Sequence, residues 1–131
     1  MNLTIALFSV VMGLAACTAP SSEVGGVREV APDEVLTLVT REDGPLLLDV
    51  RTPEEYQAGH VPGAVNIPHD QVATRLDELE PYRTRGVVVY CRSGRRAGMA
   101  ADALGNAGFT NLAHLDGDMA GWSESGREVE H

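Results

Sequence analysis

The chain has 131 residues, which is enough for a single domain, and its hydrophobic content of 44% is ordinary for a packed globular core. Its net charge at neutral pH is −9, and each of its 10 Lys or Arg positions is arginine. An acidic protein without a basic stripe does not neutralise a phosphate backbone, so this composition argues against nucleic acid as a partner.

The amino-terminal segment, residues 1–16, is predicted to be a targeting signal that is removed from the mature protein. It carries no charged side chain, and its largely apolar run from Leu3 to Leu14 is too short to span a bilayer but suits the core of a secretory signal. The run ends in LAAC, which resembles a bacterial lipobox, so we expect cleavage before Cys17 and lipidation of that residue. An uncleaved membrane anchor and an ordinary signal peptide cut nearby are the alternatives.

Residues 17–26, called the tether below, have the Ser, Pro and Gly content of a flexible linker. By resemblance to enterobacterial sorting rules, threonine rather than aspartate after Cys17 favours the outer membrane. We therefore expect an extracytoplasmic protein whose domain, residues 27–131, is lipid-anchored to a bacterial membrane on its periplasmic side. With Cys17 lipidated, Cys91 is the only thiol of the mature domain, and an unpaired cysteine in an oxidising compartment favours a reactive role.

From residue 27 onward, short strand patterns alternate with helix patterns. The predicted strands are Val27–Val30, Leu46–Val50, Ala64–Ile67, Val87–Tyr90 and Asn111–Leu115. The predicted helices run from Pro32 to Val39, from Pro53 to about Gly59, from Pro68 to Leu79, from Arg95 to Ala107 and from Asp118 to Glu124. This alternation implies βαβ crossovers and an α/β fold, with a central, mostly parallel five-stranded sheet and helices on both of its faces.

Some residues of this pattern have predicted places in the fold. Thr52 and Glu55 have the spacing of a capping box at the start of the second helix. Asp49 and Cys91 lie at the carboxyl ends of predicted strands, where ligands of parallel sheets bind, so they are predicted to face the same crevice. Trp122 is predicted to pack the last helix onto the core.

The strand that ends at Tyr90 runs directly into Cys91. The residues between this cysteine and the following Ala-rich helix are small or basic, namely Arg92, Ser93, Gly94, Arg95 and Arg96. Backbone N–H groups, the positive end of the helix dipole and guanidinium groups all favour a thiolate over a thiol. The loop is therefore a candidate site for a nucleophilic cysteine and a small anion, and the alternative is a buried structural cysteine.

Three stretches together resemble a single-domain rhodanese. They are LDVRTPEEYQAGHVPGAVNIP from Leu48 to Pro68, the loop CRSGRR that begins at Cys91, and LDGDMAGW from Leu115 to Trp122. The resemblance covers nearly all of the chain between residues 30 and 126. Family members usually have a second glycine at the position of Asp118, a difference that we expect to affect the last turn and not the chemistry.

The resemblance implies a rhodanese-like sulfurtransferase, an enzyme of the transferase class. Cys91 then attacks the outer sulfur of thiosulfate or a related donor and holds it as a persulfide, and cyanide or a thiol collects the sulfur. Backbone N–H groups of residues 92–97 surround the persulfide, and the donor's anionic end is bound by Arg92, Arg95 and Arg96. The partners are thus a small anionic sulfur donor and a thiophilic acceptor, and no metal or organic cofactor is indicated.

Other polar residues of the matching stretches have structural interpretations. Asp49 and Arg51 are predicted to form an ion pair or loop clamp at the carboxyl edge of the sheet. His60 and His69 are interpreted as loop structure, because no cysteine is within their reach on sequence grounds.

Two other functions remain open. Cell-cycle phosphatases and some arsenate reductases have the same fold, but those phosphatases place an arginine six positions after the cysteine, where this chain has Ala97. The arginines here follow four and five positions after Cys91, and the shorter loop suits a sulfur atom better than a tetrahedral phosphate. A persulfide carrier or an interaction module that uses the fold without turnover is the non-enzymatic alternative.

Overall fold

The computed structural model describes Glu23, Val24 and residues 26–131, so the predicted signal peptide, Cys17 and most of the tether lie outside the described residues. Its strands are β1 (Glu23–Val24), β2 (Val27–Val30), β3 (Leu46–Asp49), β4 (Val65–Asn66), β5 (Val87–Tyr90) and β6 (Leu112–Leu115). Its α-helices are α1 (Pro32–Val39), α2 (Pro53–Ala58), α3 (Arg95–Asn106) and α4 (Asp118–Glu124), and 3₁₀ helices cover His69–Thr74 and Leu76–Tyr82. Within these described ranges, no helix has both the length and the apolar character needed to cross a membrane.

The strands form a single sheet in the order β1-β2-β6-β5-β3-β4. Every neighbouring pair from β2 to β4 is parallel, which confirms the predicted α/β fold with five parallel strands. The two-residue strand β1 falls within the predicted tether and pairs antiparallel with β2 at one edge of the sheet.

Both faces of the sheet are buried. Strands β3 and β5 are buried at every position, as their continuous apolar runs predict for central parallel strands. Side chains of β5 alternate between the two faces: Val87 and Val89 pack with α3, whereas Val88 and Tyr90 pack with residues of α1 and α4. Cys91 continues this alternation, so its side chain lies on the face that α3 covers.

The predicted helix from Pro68 to Leu79 is wrong in type. The structure forms two 3₁₀ helices instead, and Arg75 separates them with φ −120° and ψ 27°. Val72 and Leu79 are still buried, so the apolar spacing serves the core without requiring an α-helix. Pro81 lies inside the second of these helices. Proline has no N–H for the α-helical hydrogen bond, and its ring clashes with the preceding turn of an α-helix.

The predicted capping box and the predicted core position of Trp122 are confirmed. Thr52 Oγ1 accepts a hydrogen bond from the Glu55 N–H at 3.2 Å, and the Glu55 carboxylate accepts one from the Thr52 N–H at 3.4 Å. Trp122 is 1% exposed, and its indole N–H donates to the Glu128 carbonyl at 2.8 Å. The cap fixes the start of α2, and the tryptophan holds α4 against the sheet.

Candidate active site

Cys91 and Asp49 lie at the same edge of the sheet but on opposite faces, so the prediction that they face the same crevice is wrong. Cys91 follows β5 directly, and Asp49 ends the neighbouring strand β3 in register with Tyr90. The Tyr90 hydroxyl donates to Asp49 Oδ2 at 2.8 Å on the face that α1 and α4 cover, whereas the Cys91 side chain packs on the α3 face. The carboxylate of Asp49 is fully buried and lies on the face of the sheet opposite the Cys91 thiol.

The loop after β5 folds its backbone around the thiol of Cys91. The Gly94 N–H donates to Cys91 Sγ at 3.0 Å, and the Gly98 N–H donates to the Gly94 carbonyl, which starts α3. Gly94 has φ +106°, a conformation that favours glycine. Because the first N–H groups of a helix have no intrahelical acceptor, the amino end of α3 adds further unpaired donors beside this loop. The geometry suits a negatively charged sulfur.

A cavity of about 410 Å³ opens over the thiol. Its lining consists of His69, Cys91, Ser93, Arg95, Arg96 and Met99. Cys91 itself is only 1% exposed, so a reactant reaches its sulfur through this cavity and not from open solvent. The structure thus brings Ser93, Arg95 and Arg96 together with the cysteine.

The arginines of the loop differ in their surroundings. Arg96 forms a bidentate ion pair with Glu55, at 2.6 Å and 3.0 Å, and this hydrogen bonding is the main reason that the pKa of Glu55 is lowered to about 2. Arg95 is exposed at the cavity, and within the described part of the chain its guanidinium forms no ion pair. Arg92 lines a different cavity of about 540 Å³ beside α2 and α4. Arg95 is therefore the guanidinium best placed to meet an anion at the thiol.

Asp49 and Arg51 form the buried ion pair that the sequence predicts. Arg51 Nε lies 3.0 Å from Asp49 Oδ1, Arg51 Nη2 lies 2.7 Å from Oδ2, and Nη2 also donates to the Gly59 carbonyl. Burial alone would lower the pKa of Arg51, but the hydrogen bond and charge of Asp49 hold it above its ordinary value. Asn66, which sequence reasoning missed, donates from Nδ2 to the carbonyls of Asp49 and Arg51 at 3.0 Å each. Together these contacts fasten the loop after β3.

Replacing Asp49 with asparagine is expected to destabilise the fold by about 3–5 kcal/mol, because the buried guanidinium of Arg51 then lacks a countercharge. Urea unfolding measures this loss as a lower midpoint. Glu80→Gln is the matched control, since it breaks an exposed ion pair with Arg83 and leaves both groups in water. A midpoint for Asp49→Asn as high as that of the control would contradict a structural role for the buried pair.

Residues 31–125 match the family described as Rhodanese-like domain. The chain belongs to the rhodanese family. Over 70 residues it is 41% identical to the thiosulfate sulfurtransferase PspE of Escherichia coli, and this match covers 53% of this chain and 67% of that protein. Over 103 residues it is 31% identical to a sulfurtransferase of Allochromatium vinosum, covering 79% of this chain and 94% of that protein. The crystal structure of a thiosulfate sulfurtransferase from Pseudomonas aeruginosa matches with a TM-score of 0.70 at 30% identity, over 80% of this chain and 20% of that one.

This rhodanese domain places Asp118 directly against the backbone of Cys91. The Cys91 N–H donates to Asp118 Oδ1 at 3.0 Å, and the Met119 N–H donates to the Cys91 carbonyl at 2.9 Å. His114 Nε2 lies 2.9 Å from the same Asp118 oxygen. The sequence suggests that aspartate at this position affects only the last turn, but the structure places its carboxylate in contact with the backbone of the candidate nucleophile.

Sequence reasoning also missed two residues of the rhodanese cavity, His69 and Met99. The sequence predicts loop structure for His69, but this residue begins a 3₁₀ helix, its amide donates to the Val50 carbonyl, and it lines the cavity over Cys91. Met99 is 52% exposed and lies one helical turn after Arg95, so the i, i+4 spacing on α3 was a usable signal. His69 had no such signal, because it lies 22 positions before Cys91 in the chain. Among the residues that the structure describes, no group of His, Cys, Asp or Glu side chains is placed to hold a metal ion.

Proposed function

We propose that this protein is a sulfurtransferase that moves sulfane sulfur from thiosulfate or a related anionic donor to a thiophilic acceptor through a persulfide on Cys91. The observation that carries the proposal is the 3.0 Å hydrogen bond from the Gly94 N–H to Cys91 Sγ, at the base of a cavity that Arg95 and Arg96 line. The sulfurtransferase names of two relatives, and the thiosulfate in the name of one, support the same chemistry.

In the first step, the Cys91 thiolate attacks the outer sulfur of thiosulfate. A new S–S bond forms at Cys91 as the bond within thiosulfate breaks, and sulfite leaves with that electron pair. The exposed guanidinium of Arg95 is placed to hold the anionic end of the donor, and the charge of Arg96 adds to the field of the cavity. No proton has to move in this step.

In the second step, cyanide or a thiolate attacks the outer sulfur of the persulfide. The S–S bond at Cys91 breaks, the acceptor leaves with the sulfur, and Cys91 returns as a thiolate. The Gly94 N–H, already in contact with Sγ, stabilises the negative charge that returns to this atom. Two sequential displacements on one residue predict ping-pong kinetics.

The test is incubation of the purified protein with thiosulfate, followed by intact-mass measurement and then addition of cyanide. We expect a gain of one sulfur atom that cyanide removes as thiocyanate. A persulfide that neither cyanide nor thiols remove would favour the carrier without turnover. An unchanged mass together with hydrolysis of an aryl phosphate would replace the proposal with phosphatase activity.

We propose in addition that the protein is lipid-anchored through Cys17 on the periplasmic side of a bacterial membrane, with the LAAC sequence as support. Cys17→Ser is then expected to move the protein from the membrane pellet to the soluble fraction, because the acylated residue is lost. Fractionation and immunoblotting of both forms measure the change. Thr18→Ser is the matched control, since it alters the neighbouring residue and keeps the cysteine. Equal membrane recovery of wild type and Cys17→Ser would overturn the anchor.

A further inference from the structure

Asp118 adopts a backbone conformation that favours glycine. Its φ is +53°, in the left-handed region, and its side chain is almost completely buried. Aspartate enters this region more readily than most residues, but the conformation is still strained and persists only where neighbouring contacts hold it. The contacts of its carboxylate therefore show what this residue contributes.

Those contacts connect two sides of the cysteine loop. Asp118 Oδ1 accepts the Cys91 N–H at 3.0 Å and lies 2.9 Å from His114 Nε2. A Cβ built on Gly94 would lie 3.3 Å from Asp118 Oδ2. The carboxylate therefore also lies close to Gly94, whose N–H donates to Sγ. A buried carboxylate thus fixes the amide of the candidate nucleophile and lies behind the loop that surrounds its sulfur.

The charge of this carboxylate opposes the chemistry proposed for the loop. A buried negative charge a few ångströms from Cys91 disfavours a second negative charge on its sulfur, whether thiolate or persulfide. His114, on β6, lies between Asp118 on α4 and Glu29 on β2, with its Nδ1 2.9 Å from the Glu29 carboxylate. Asp102 on α3 lines a third cavity, of about 400 Å³, together with His114 and Glu29. Asp118, Glu29 and Asp102 are all acidic. A protonated His114 places a positive charge among them, in direct contact with Asp118.

The surroundings of His114 keep it cationic at neutral pH. The hydrogen bond to Asp118 is the largest cause that raises the pKa of His114 to about 9, burial opposes it, and Glu29 adds to it. Because the folded-state pKa lies above the ordinary value, the stabilising contribution is complete below pH about 6.5 and is lost as the pH rises through about 9. At neutral pH the imidazolium offsets the charge on Asp118.

We propose that Asp118 and His114 are positioning residues for the Cys91 loop: the Asp118 carboxylate fixes the Cys91 amide, and the His114 imidazolium offsets its charge so that the loop accepts an anionic sulfur. This inference rests on the proposed function only in that the loop must hold a negative sulfur. Neither residue lines the cavity over Cys91, so both act through the backbone and the electric field of the loop.

The test is the rate at which iodoacetamide alkylates Cys91 between pH 6 and pH 10, followed in the full chain by mass spectrometry of the tryptic peptide 86–92. Because an ordinary thiol also ionises near pH 8.5, the contribution of His114 is the difference between the wild-type profile and that of a variant without the imidazolium. His114→Gln keeps a donor for Asp118 but loses the charge, so we expect roughly tenfold slower alkylation than wild type at pH 7. This difference is expected to shrink as the pH rises through about 9, where His114 of the wild type loses its proton. An identical pH profile in this variant would overturn the proposal.

A rescue variant separates charge from general loss of structure. Asp118→Asn keeps an acceptor for the Cys91 amide and removes the carboxylate charge, so the double variant His114→Gln/Asp118→Asn is expected to alkylate within roughly threefold of wild type. A double variant as slow as His114→Gln would contradict charge compensation. His60→Gln is the matched control, because it removes another buried imidazole, one that stacks on Tyr56 and lies against α2, and it is expected to leave the profile unchanged.

Measurements on the wild type alone cover the case in which a variant fails to fold. An NMR titration of the His114 ring nitrogens is expected to give a pKa near 9, and a value near 6.5 would overturn the proposal. Alkylation requires only a thiolate, so it reports on Asp118 and His114 whether or not sulfur is transferred. A protein whose alkylation at pH 7 slows in His114→Gln, but that gains no sulfur from thiosulfate, would retain this inference and lose the proposed function.

Discussion

Cys91→Ser is expected to abolish sulfur loading from thiosulfate and to lower the rate of thiocyanate formation by at least roughly 10³-fold. A serine hydroxyl at this position keeps the Gly94 N–H as a hydrogen-bond donor but is not ionised at neutral pH and forms no persulfide. The geometry of the loop is thus retained while the nucleophile is lost. Intact-mass measurement and a thiocyanate assay on the same preparation measure both effects.

The control for this variant is the same substitution at the other cysteine of the chain, Cys17. Cys17→Ser leaves Cys91 as the only thiol, and we expect this variant to gain one sulfur atom at the wild-type rate. Urea unfolding of Cys91→Ser is expected to agree with wild type within about 1 kcal/mol, because the change exchanges one buried atom. Thiocyanate formation that survives in a folded Cys91→Ser protein would move the chemistry away from this residue.

The fold is predictable because its central elements carry strong local patterns. The apolar runs of β3 and β5 predict buried parallel strands, and Thr52 with Glu55 predicts the start of α2. The segment after Pro68 has the apolar spacing of an α-helix but forms two 3₁₀ helices. Val72 and Leu79 are buried in the 3₁₀ helices as they would be in an α-helix, so hydrophobic spacing does not distinguish the two helix types.

The candidate site is predictable where its residues are neighbours in the chain. A strand that runs into a cysteine, followed by glycine, arginine and a helix, is a local pattern that indicates Cys91 and its loop as an anion site. The Glu55–Arg96 pair and the contact of Asp118 with the Cys91 amide join residues 41 and 27 positions apart, so no local spacing reveals them. Pairing with Glu55 leaves Arg96 less available to a substrate than the sequence alone suggests.

The conformation of Gly94 makes it the residue of the loop where a single methyl group has the largest expected effect on geometry. With φ +106°, an alanine there is strained, and its Cβ would lie 3.3 Å from Asp118 Oδ2. We expect relaxation of either conflict to move the Gly94 N–H away from Sγ, the contact that stabilises the charge returning to this atom in the second step. We expect Gly94→Ala to lower kcat/KM for sulfur transfer at least roughly 100-fold, as removal of an oxyanion donor does in other enzymes.

Gly63→Ala separates this effect from backbone strain in general. Gly63 also has a positive φ, +84°, but a Cβ there meets nothing within 4 Å and the residue lies in an exposed turn. Both substitutions are expected to cost about 1–2 kcal/mol of stability in urea unfolding, since each places alanine in the left-handed region. Only Gly94→Ala is expected to lose sulfur transfer. Equal rates in the two variants would show that the amide of Gly94 does not stabilise the sulfur. The two variants share the strain of a positive φ, whereas only Gly94 lies beside Cys91 and has a Cβ position close to Asp118.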